Sequence, residues 1–161
     1  MNIAYLSTGG NVGDRKKALE DAQNHLLSKG IMMVWVSSMY ETEPWGNSNQ
    51  PNFLNQVMKV KTELNPLELL EVCLSIERGL GRVRTLKWEE RIVDIDILFF
   101  GKEIIEIDHL MVPHPRIEKR KFVLVPFCEF EPEFIHPVLK VSMRDLLETC
   151  EDELVVSKLI Q

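Results

Sequence analysis

The order strand, helix, strand, strand, helix, strand predicts an α+β fold, a ferredoxin-like split βαβ sandwich in which helices pack on an antiparallel sheet, with a C-terminal extension. Two observations carry that expectation. Apolar residues recur at helical spacing in two stretches with recognisable caps, and the stretches between them are short, branched or aromatic, and bounded by glycine and proline. A third sets the scale: 161 residues with 45% apolar and 27% charged side chains suit a single domain over 1–161. At this length folding buries about 70% of the extended chain's surface, so the core needs no disulfide or structural metal.

Asn2 to Thr8 is short, apolar and followed by Gly9, Gly10, Asn11 and Gly13, which reads as a first strand ending in a tight turn. Asp14 then caps a helix whose Ala18, Leu19, Ala22, Leu26 and Leu27 form one stripe, with Gly30 as its stop. Ile31 to Tyr40 is a second strand, and Pro44, Gly46 and Pro51 mark a loop. Phe53 to Thr62 alternates, with Leu54, Met58 and Val60 on one face and Asn55, Lys59 and Lys61 on the other, as in a half-buried strand. Asn65, Pro66 and Glu68 combine a cap, a first-turn proline and a reciprocal carboxylate, starting a helix that runs to about Gly79. Its stripe is Leu69, Leu70, Cys73, Ile76 and Leu80; Glu77 falls on that stripe, where a helix-edge carboxylate reaching solvent is the ordinary account. Ile92 to Phe100 is the most apolar strand, with Glu103 to Ile107 returning as its hairpin partner. Proline-rich steps from His109 onward predict irregular chain, and Ser142 caps a last helix through Thr149.

Composition excludes several classes. Twenty-five acidic against 19 basic residues give a net charge of −6, the wrong sign for a nucleic-acid binder. No apolar run reaches the ~20 residues of a membrane span, and the opening MNIAYLSTGGN lacks the charged region of a signal peptide, so a cytoplasmic protein is expected. Cys73, Cys128 and Cys150 lie far apart and read as buried, reduced thiols. Between Arg78 and Arg91 stand five basic and two acidic residues, a local charge of +3 that leaves −9 for the rest. An acidic chain that gathers its arginines in one segment has a small concentrated anion to hold, such as a phosphate chain.

Asp94 and Asp96 are the first chemical signal. Aspartate is disfavoured in strands, yet Ile92-Val93-Asp94-Ile95-Asp96-Ile97-Leu98 sets two on one face, about 6.6 Å apart by strand geometry. Neighbouring carboxylates repel and lose hydration, a cost offset when divalent cations sit between them, and magnesium is the natural choice. The bland alternative is an edge strand with a solvated acidic face. Arg82, Arg84, Lys87, Trp88 and Arg91 lead directly into the pair; a glycine-bounded loop can close their planar forks on phosphate oxygens, whereas a solvated basic loop is the plainer account. His114, between two prolines and followed by Arg116 and Arg120, reads as a second phosphate-facing wall, although a lone histidine is more often structural. Asn55 beside Phe53 offers an amide and an aromatic face to a flat heterocycle, or is simply a strand-start asparagine. The Gly9 to Gly13 turn matches no phosphate-binding glycine motif.

These blocks together resemble the 6-hydroxymethyl-7,8-dihydropterin pyrophosphokinase family of folate biosynthesis. The resemblance runs through Ala4-Tyr5-Leu6 with Gly9-Gly10-Asn11, then Ser37 to Thr42, Gln50 to Asn55, Ile76-Glu77 and Leu80 to Arg84. It continues most specifically in Arg91 to Leu98, and then in Val112 to Pro115 and Arg120-Lys121-Phe122. It implies transfer of pyrophosphate from ATP to the pterin hydroxymethyl group, releasing AMP. It implies that Asp94 and Asp96 hold two Mg2+ ions bound with ATP and that Arg82 and Arg91 compensate charge during transfer. By the same resemblance Arg84, His114 and Arg120 contact the nucleotide, and Leu70 and Ile97 line its adenine and ribose site. For the pterin it implies stacking between Phe53 and Phe122, with Gly9, Thr42, Trp45, Asn55 and Trp88 at the ring's edge. Three departures stand out: Gly10 where serine is usual, Glu89 just before the strand, and Glu43 with Trp45 on the pterin side.

The partners expected are therefore small molecules, ATP and the hydroxymethyl dihydropterin, with no nucleic acid and no membrane, on a monomer with a dimer left open. An RNA-binding module is disfavoured by the acidic balance and the aspartate pair. A noncatalytic ligand-sensing domain on the same sheet is the stronger rival, since it needs a pocket but no acid pair.

Overall fold

The structure, a computed structural model, describes residues 1–44, 49–81 and 92–160. Its strands are β1 (Asn2–Gly10), β2 (Met32–Val36), β3 (Tyr40–Thr42), β4 (Phe53–Thr62), β5 (Asp94–Phe100), β6 (Ile105–Ile107), β7 (Leu110–Val112) and β8 (Val156–Lys158). The helices are α1 (Arg15–Ser28), α2 (Pro66–Gly79), α3 (Lys121–Cys128) and α4 (Met143–Glu148), with a 3-10 turn at Ile117–Lys119. The main sheet runs β5-β1-β4-β3-β8, β2 also pairs with β4, and every pairing is antiparallel. It is a mixed α/β fold of antiparallel sheet and helices.

The predicted caps form as read. Asp14 accepts from the Lys17 amide, Asn65 and Glu68 close a reciprocal box, and Ser142 accepts from the Asp145 amide. On one face of the sheet Ala4, Leu6, Met58, Val60, Ile95 and Ile97 meet Leu19, Ala22 and Leu26 of α1 and Leu69, Cys73 and Ile76 of α2. The opposite face is covered as well, so the expected one-sided packing is corrected. There Tyr5, Val57, Leu98 and Phe99 pack with Val123, Leu124 and Phe127 of α3 and Met143 and Leu146 of α4. Consequently β4 is buried on both faces rather than half-buried, and even Lys59 is only partly exposed.

The segment expected to be irregular supplies α3 of that second layer, while α4 is the helix expected after Ser142. Pro126 lies inside α3 and denies it one backbone bond, but burial of Val123, Leu124 and Phe127 offsets the loss in so short a helix. Tyr5, Phe99, Phe127 and Phe134 form the centre of an aromatic cluster, with ring centroids 4.7–5.9 Å apart. Four further expectations change. The stretch 31–40 splits into β2 and β3; β6 pairs with β7 rather than with β5; β8 was not foreseen; and Cys128 and Cys150 are half-buried, whereas Cys73 is buried. All three cysteines are free, as expected. Among the described residues no helix is long and apolar enough to cross a membrane.

A bulge tunes β5 for its two duties. Tyr5 pairs with Phe99 but Leu6 pairs with Ile97, so Leu98 is the extra residue. Leu98 and Phe99 therefore both join the aromatic side, while Ile95 and Ile97 face α1 and α2. By alternation Asp94 and Asp96 lie on the aromatic side, beyond the reach of its apolar cluster.

Two carboxylates after α3 fasten the second layer. Glu131 accepts from the Tyr5 hydroxyl at 2.5 Å and is bonded to the Lys59 ammonium; Glu129 accepts from the Tyr40 hydroxyl at 2.5 Å and from the amide and hydroxyl of Ser38. Burial pushes both carboxyls up, but these bonds outweigh it and hold both below the ordinary value of 4.5. A depressed carboxyl gives stability that is complete above the unfolded value and lost as pH falls through the folded one. Melting temperature is therefore expected to drop on acidification below about pH 4.5, and Glu131→Gln should flatten that drop. At neutral pH Glu131→Ala should cost about 2 kcal/mol, read from urea unfolding.

Candidate active site

The candidate residues are gathered by strand register. Gly9 on β1 pairs with Asn55 of β4 on one side and with Asp94 of β5 on the other, and Ser7 pairs with Asp96. Asn55 in turn pairs with Tyr40 of β3, and Phe53 with Thr42. Directly paired residues share a face, so Asp94, Asp96, Gly9, Asn55, Phe53 and Thr42 lie on one surface. Adjacent strands are about 4.8 Å apart, so Asn55 and Asp94 are separated by about 10 Å across Gly9.

Gly9 is required by that crowding. A Cβ there would lie 2.4 Å from Asn55 Oδ1 and 3.5 Å from Asp94 Oδ1. The Asn55 amide is oriented by its own bond, since Nδ2 donates to Thr42 Oγ1 at 2.6 Å. Its carbonyl oxygen is thereby turned toward Gly9. Asn55 and Thr42 are both buried, and Phe53 and Phe122 are half-buried. Phe122 opens α3 and packs against the aromatic-side cluster, so it stands on the same face as Phe53. The chain entering β4 is held by the β1–α1 turn: Asn11 Nδ2 donates to Gln50 Oε1 at 2.9 Å and to Pro51 O at 3.0 Å, and Arg15 donates to Asn52 O.

At the outer edge of β5 the site continues into a crevice of about 290 Å³. Leu70, Leu74 and Glu77 of α2 form one wall, Ile95, Asp96 and Ile97 the floor, and Asp108 to Met111 with His114 and Pro115 the other wall. The amide of His114 donates to Leu98 O at 2.9 Å, which fixes that wall along the edge. His114 Nδ1 lies 2.9 Å from Pro115 O, a carbonyl that can only accept, so Nδ1 carries a proton and Nε2 faces Asp96. The Nε2 to Asp96 Oδ1 distance is 4.0 Å, and the Asp96 side chain is 40% exposed. The Arg120 guanidinium lies over the Phe122 ring at 5.9 Å, bringing a cation to the aromatic wall.

Two exposed-to-half-buried carboxylates on one face suit a hard divalent cation. Among the described residues no group of three or more metal-ligating side chains converges, so magnesium held here would complete its shell with water and phosphate oxygens. The structure thus unites Asp94, Asp96, Gly9, Asn55, Thr42 and Phe53, and gathers Leu70, Ile97 and His114 around the crevice. Arg82, Arg84, Trp88, Arg91 and Trp45 lie outside the described residues, as does Glu89. The wall from Asp108 to Met111 was not read from the sequence; its signal was the alternation of buried Leu110 and Val112 around exposed Met111. Glu43, flagged only as unusual, accepts from the Val155 amide at 2.9 Å and so ties the chain leaving β3 to the C-terminal segment.

An acid pair at the edge of an antiparallel sheet, beside a crevice lined by Leu70, Leu74 and Ile97 together with acidic and imidazole groups, suits the class of phosphoryl-transfer enzymes. Comparison with known proteins makes the class specific. Residues 5–132 match the family model of 7,8-dihydro-6-hydroxymethylpterin-pyrophosphokinase, and the chain belongs to that family. The 2-amino-4-hydroxy-6-hydroxymethyldihydropteridine pyrophosphokinase of Bacillus subtilis is 48% identical over 80% of this chain and 77% of its own. That of Aquifex aeolicus is 42% identical over 90% of each chain. The folic acid synthesis protein fol1 of Schizosaccharomyces pombe is 37% identical over 91% of this chain, which spans only 20% of that protein. Among solved structures, Plasmodium falciparum HPPK-DHPS A437G superposes with a TM-score of 0.72 at 20% identity, over 91% of this chain and 45% of that one. An HPPK-DHPS in complex with substrates gives 0.75 at 17% identity, over 92% and 43%. This chain therefore spans less than half the length of those two structures and shares their fold.

Gly9→Ala is expected to displace Asn55 from Thr42 and cost about 1–3 kcal/mol, the range for overpacking. Gly79→Ala, whose Cβ would meet nothing within 4 Å, is the control and should be neutral or slightly stabilising. Chemical unfolding of both variants, with the side-chain amide signals of Asn55 followed by NMR, checks the pair.

Proposed function

We infer that this chain transfers the terminal pyrophosphoryl group of ATP to the hydroxymethyl oxygen of 6-hydroxymethyl-7,8-dihydropterin, releasing AMP, a step of folate biosynthesis. The single observation that carries the chemistry is the Asn55–Gly9–Asp94 rung. It brings an amide suited to a flat heterocycle to within about 10 Å of an acid pair suited to a magnesium-bound phosphate chain. Membership of the pyrophosphokinase family and relatives of that name at 42–48% identity support the same reading against a noncatalytic sensor.

The roles combine this geometry with the family resemblance, which alone assigns Arg82, Arg84, Arg91, Trp45 and Trp88, outside the described residues. The nucleotide base and ribose occupy the crevice against Leu70 and Ile97, and the triphosphate runs along the β5 edge past His114 toward Asp94 and Asp96. Nε2 of His114, freed for the phosphates by the bond at Nδ1, donates when protonated; Arg84 and Arg120 add charge. The pterin lies between Phe53 and Phe122, with Gly9, Thr42 and Asn55 around it, and the resemblance adds Trp45 and Trp88 at its edge. The attacking hydroxymethyl oxygen forms a bond to the β-phosphorus as the bond from that phosphorus to the oxygen bridging the α-phosphorus breaks. AMP departs with the bridging oxygen, and the hydroxyl proton is released. Because the nucleophile is the substrate's own oxygen, the protein positions two substrates and neutralises charge. Asp94 and Asp96 would hold two Mg2+ ions bound with ATP, and the ions would supply charge neutralisation at the phosphate oxygens. Arg82 and Arg91 compensate the charge that develops on the transferred group.

The strand pairing supports the finer description of the fold as a ferredoxin-like split βαβ sandwich. β1 and β2 flank β4, antiparallel to both, and β5 lies beyond β1. A single domain over 1–161, a monomeric cytoplasmic enzyme and small-molecule partners alone complete the reading.

Incubation with ATP, magnesium and the hydroxymethyl dihydropterin is expected to yield AMP and the pterin diphosphate; ADP, or no product, contradicts it. Asp94→Ala and Asp96→Ala should each abolish turnover, and near-normal rates in either would remove the metal assignment. Arg91→Ala should slow the chemical step by about a hundredfold, or about 3 kcal/mol, with little change in nucleotide affinity. Single-turnover quench kinetics beside nucleotide titration separates the two.

A further inference from the structure

Glu77 is a buried carboxylate that the reading above leaves without a task. It sits in the last turn of α2 with only 3% of its surface exposed, not on the solvent edge where a helix carboxylate is usually found. Its Oε1 accepts from the amide of Ile95 at 2.7 Å. That amide belongs to the residue between Asp94 and Asp96. A carboxylate hydrogen-bonded to backbone N–H is among the stronger contacts available to a buried group, and it fixes the backbone it grips. Here the gripped peptide sets the directions of the two acidic side chains on either side of it.

The bond also joins two elements end to end. Glu77 lies two residues before the end of α2, and Ile95 is the second residue of β5, so their bond clasps the helix and strand that flank 80–93. The Gly81 position is packed against Ile92 at the same junction, where a Cβ would lie 3.2 Å from Ile92 Cδ1. Glu77 lines the crevice together with Asp96. The negative charge of both reaches Cys73, one turn earlier on α2, where burial first and then the charges of Glu77 and Asp96 push the thiol up. Three carboxylates therefore share one neighbourhood, two turned to the outer surface and one behind them.

We propose that Glu77 is a positioning residue for the acid pair: it orients Asp94 and Asp96 through the Ile95 amide and adds negative charge behind them, so that divalent cation affinity depends on a side chain that never touches the cation. The inference rests on the reading of Asp94 and Asp96 as metal ligands.

The test uses the full chain with Mn2+ as the probe, bound in the presence of a non-hydrolysable ATP analogue and counted by electron paramagnetic resonance. Wild type, Asp96→Asn, Glu77→Gln and Glu77→Met are compared, each with its melting temperature and its pterin affinity. Gln keeps an acceptor for the Ile95 amide and removes the charge; Met removes both. Glu77→Gln is expected to fold, to hold pterin as the wild type does, and to weaken Mn2+ by about tenfold, the low end for groups that orient metal ligands. Glu77→Met should weaken it further, and kcat at fixed nucleotide should be restored toward normal in Glu77→Gln by raised magnesium. If Asp96→Asn leaves Mn2+ binding intact, the metal reading itself fails. If Asp96→Asn loses Mn2+ while Glu77→Gln binds it like the wild type, the role of Glu77 is overturned, whatever becomes of the Met variant.

Discussion

The site depends on one rung of backbone pairing. Asn55, Gly9 and Asp94 stand abreast on three antiparallel strands, and the central one has no side chain because its neighbours fill the space above it. Strand order therefore becomes site order: crevice, acid pair, bare backbone, and amide with aromatic ring follow one another from the outer edge of β5 to β4. Slipping any of these strands by one residue would turn its functional side chain to the opposite face. The register is held by nine consecutive pairs between β1 and β4, and the bulge at Leu98 lets β5 keep its acids and its aromatic Phe99 on the same side.

Such a site needs a rigid floor and two walls. The floor is rigid because the central strands are buried from both faces, by α1 and α2 on one and by α3 and α4 on the other. The walls come from chain that leaves the sheet and returns. His114 is bonded along the edge of β5, and α3, which carries Phe122, is fastened by Glu129 and Glu131 to Tyr40, Tyr5 and Lys59. Those carboxylates serve stability and architecture together, since the helix they anchor is the one that brings the Phe122 ring to the sheet face that carries the acid pair.

Much of this was legible in the amino-acid sequence, for reasons that differ by element. Capped helices announce themselves locally, as Asp14, Asn65 with Glu68, and Ser142 do, because a cap is a contact over three residues. The acid pair was legible because aspartate on an apolar strand contradicts its surroundings. Helix α3 of the second layer was not: Pro126 and the His-Pro steps signal broken chain, and only the burial of Tyr5, Phe99 and Phe127 against one another makes α3 worth forming. Long-range partners escaped for the same reason. Glu129 and Glu131 look like surface acids, and their bonds reach about ninety and seventy to one hundred and twenty-six residues away. Glu77 falls on the buried stripe of α2, which left a buried role and a solvent edge both open, because nothing nearby in sequence reveals the Ile95 amide it meets.

On the proposed reading the cation site and the heterocycle site share one rung of one sheet surface. Paramagnetic relaxation measures it most directly: Mn2+ is added with a non-hydrolysable ATP analogue while the proton signals of bound hydroxymethyl dihydropterin are followed. With Asn55 and Asp94 about 10 Å apart, the hydroxymethyl protons should broaden strongly, and Asp96→Asn should abolish the effect. Sharp pterin signals in a complex that holds both ligands and the metal would contradict the account.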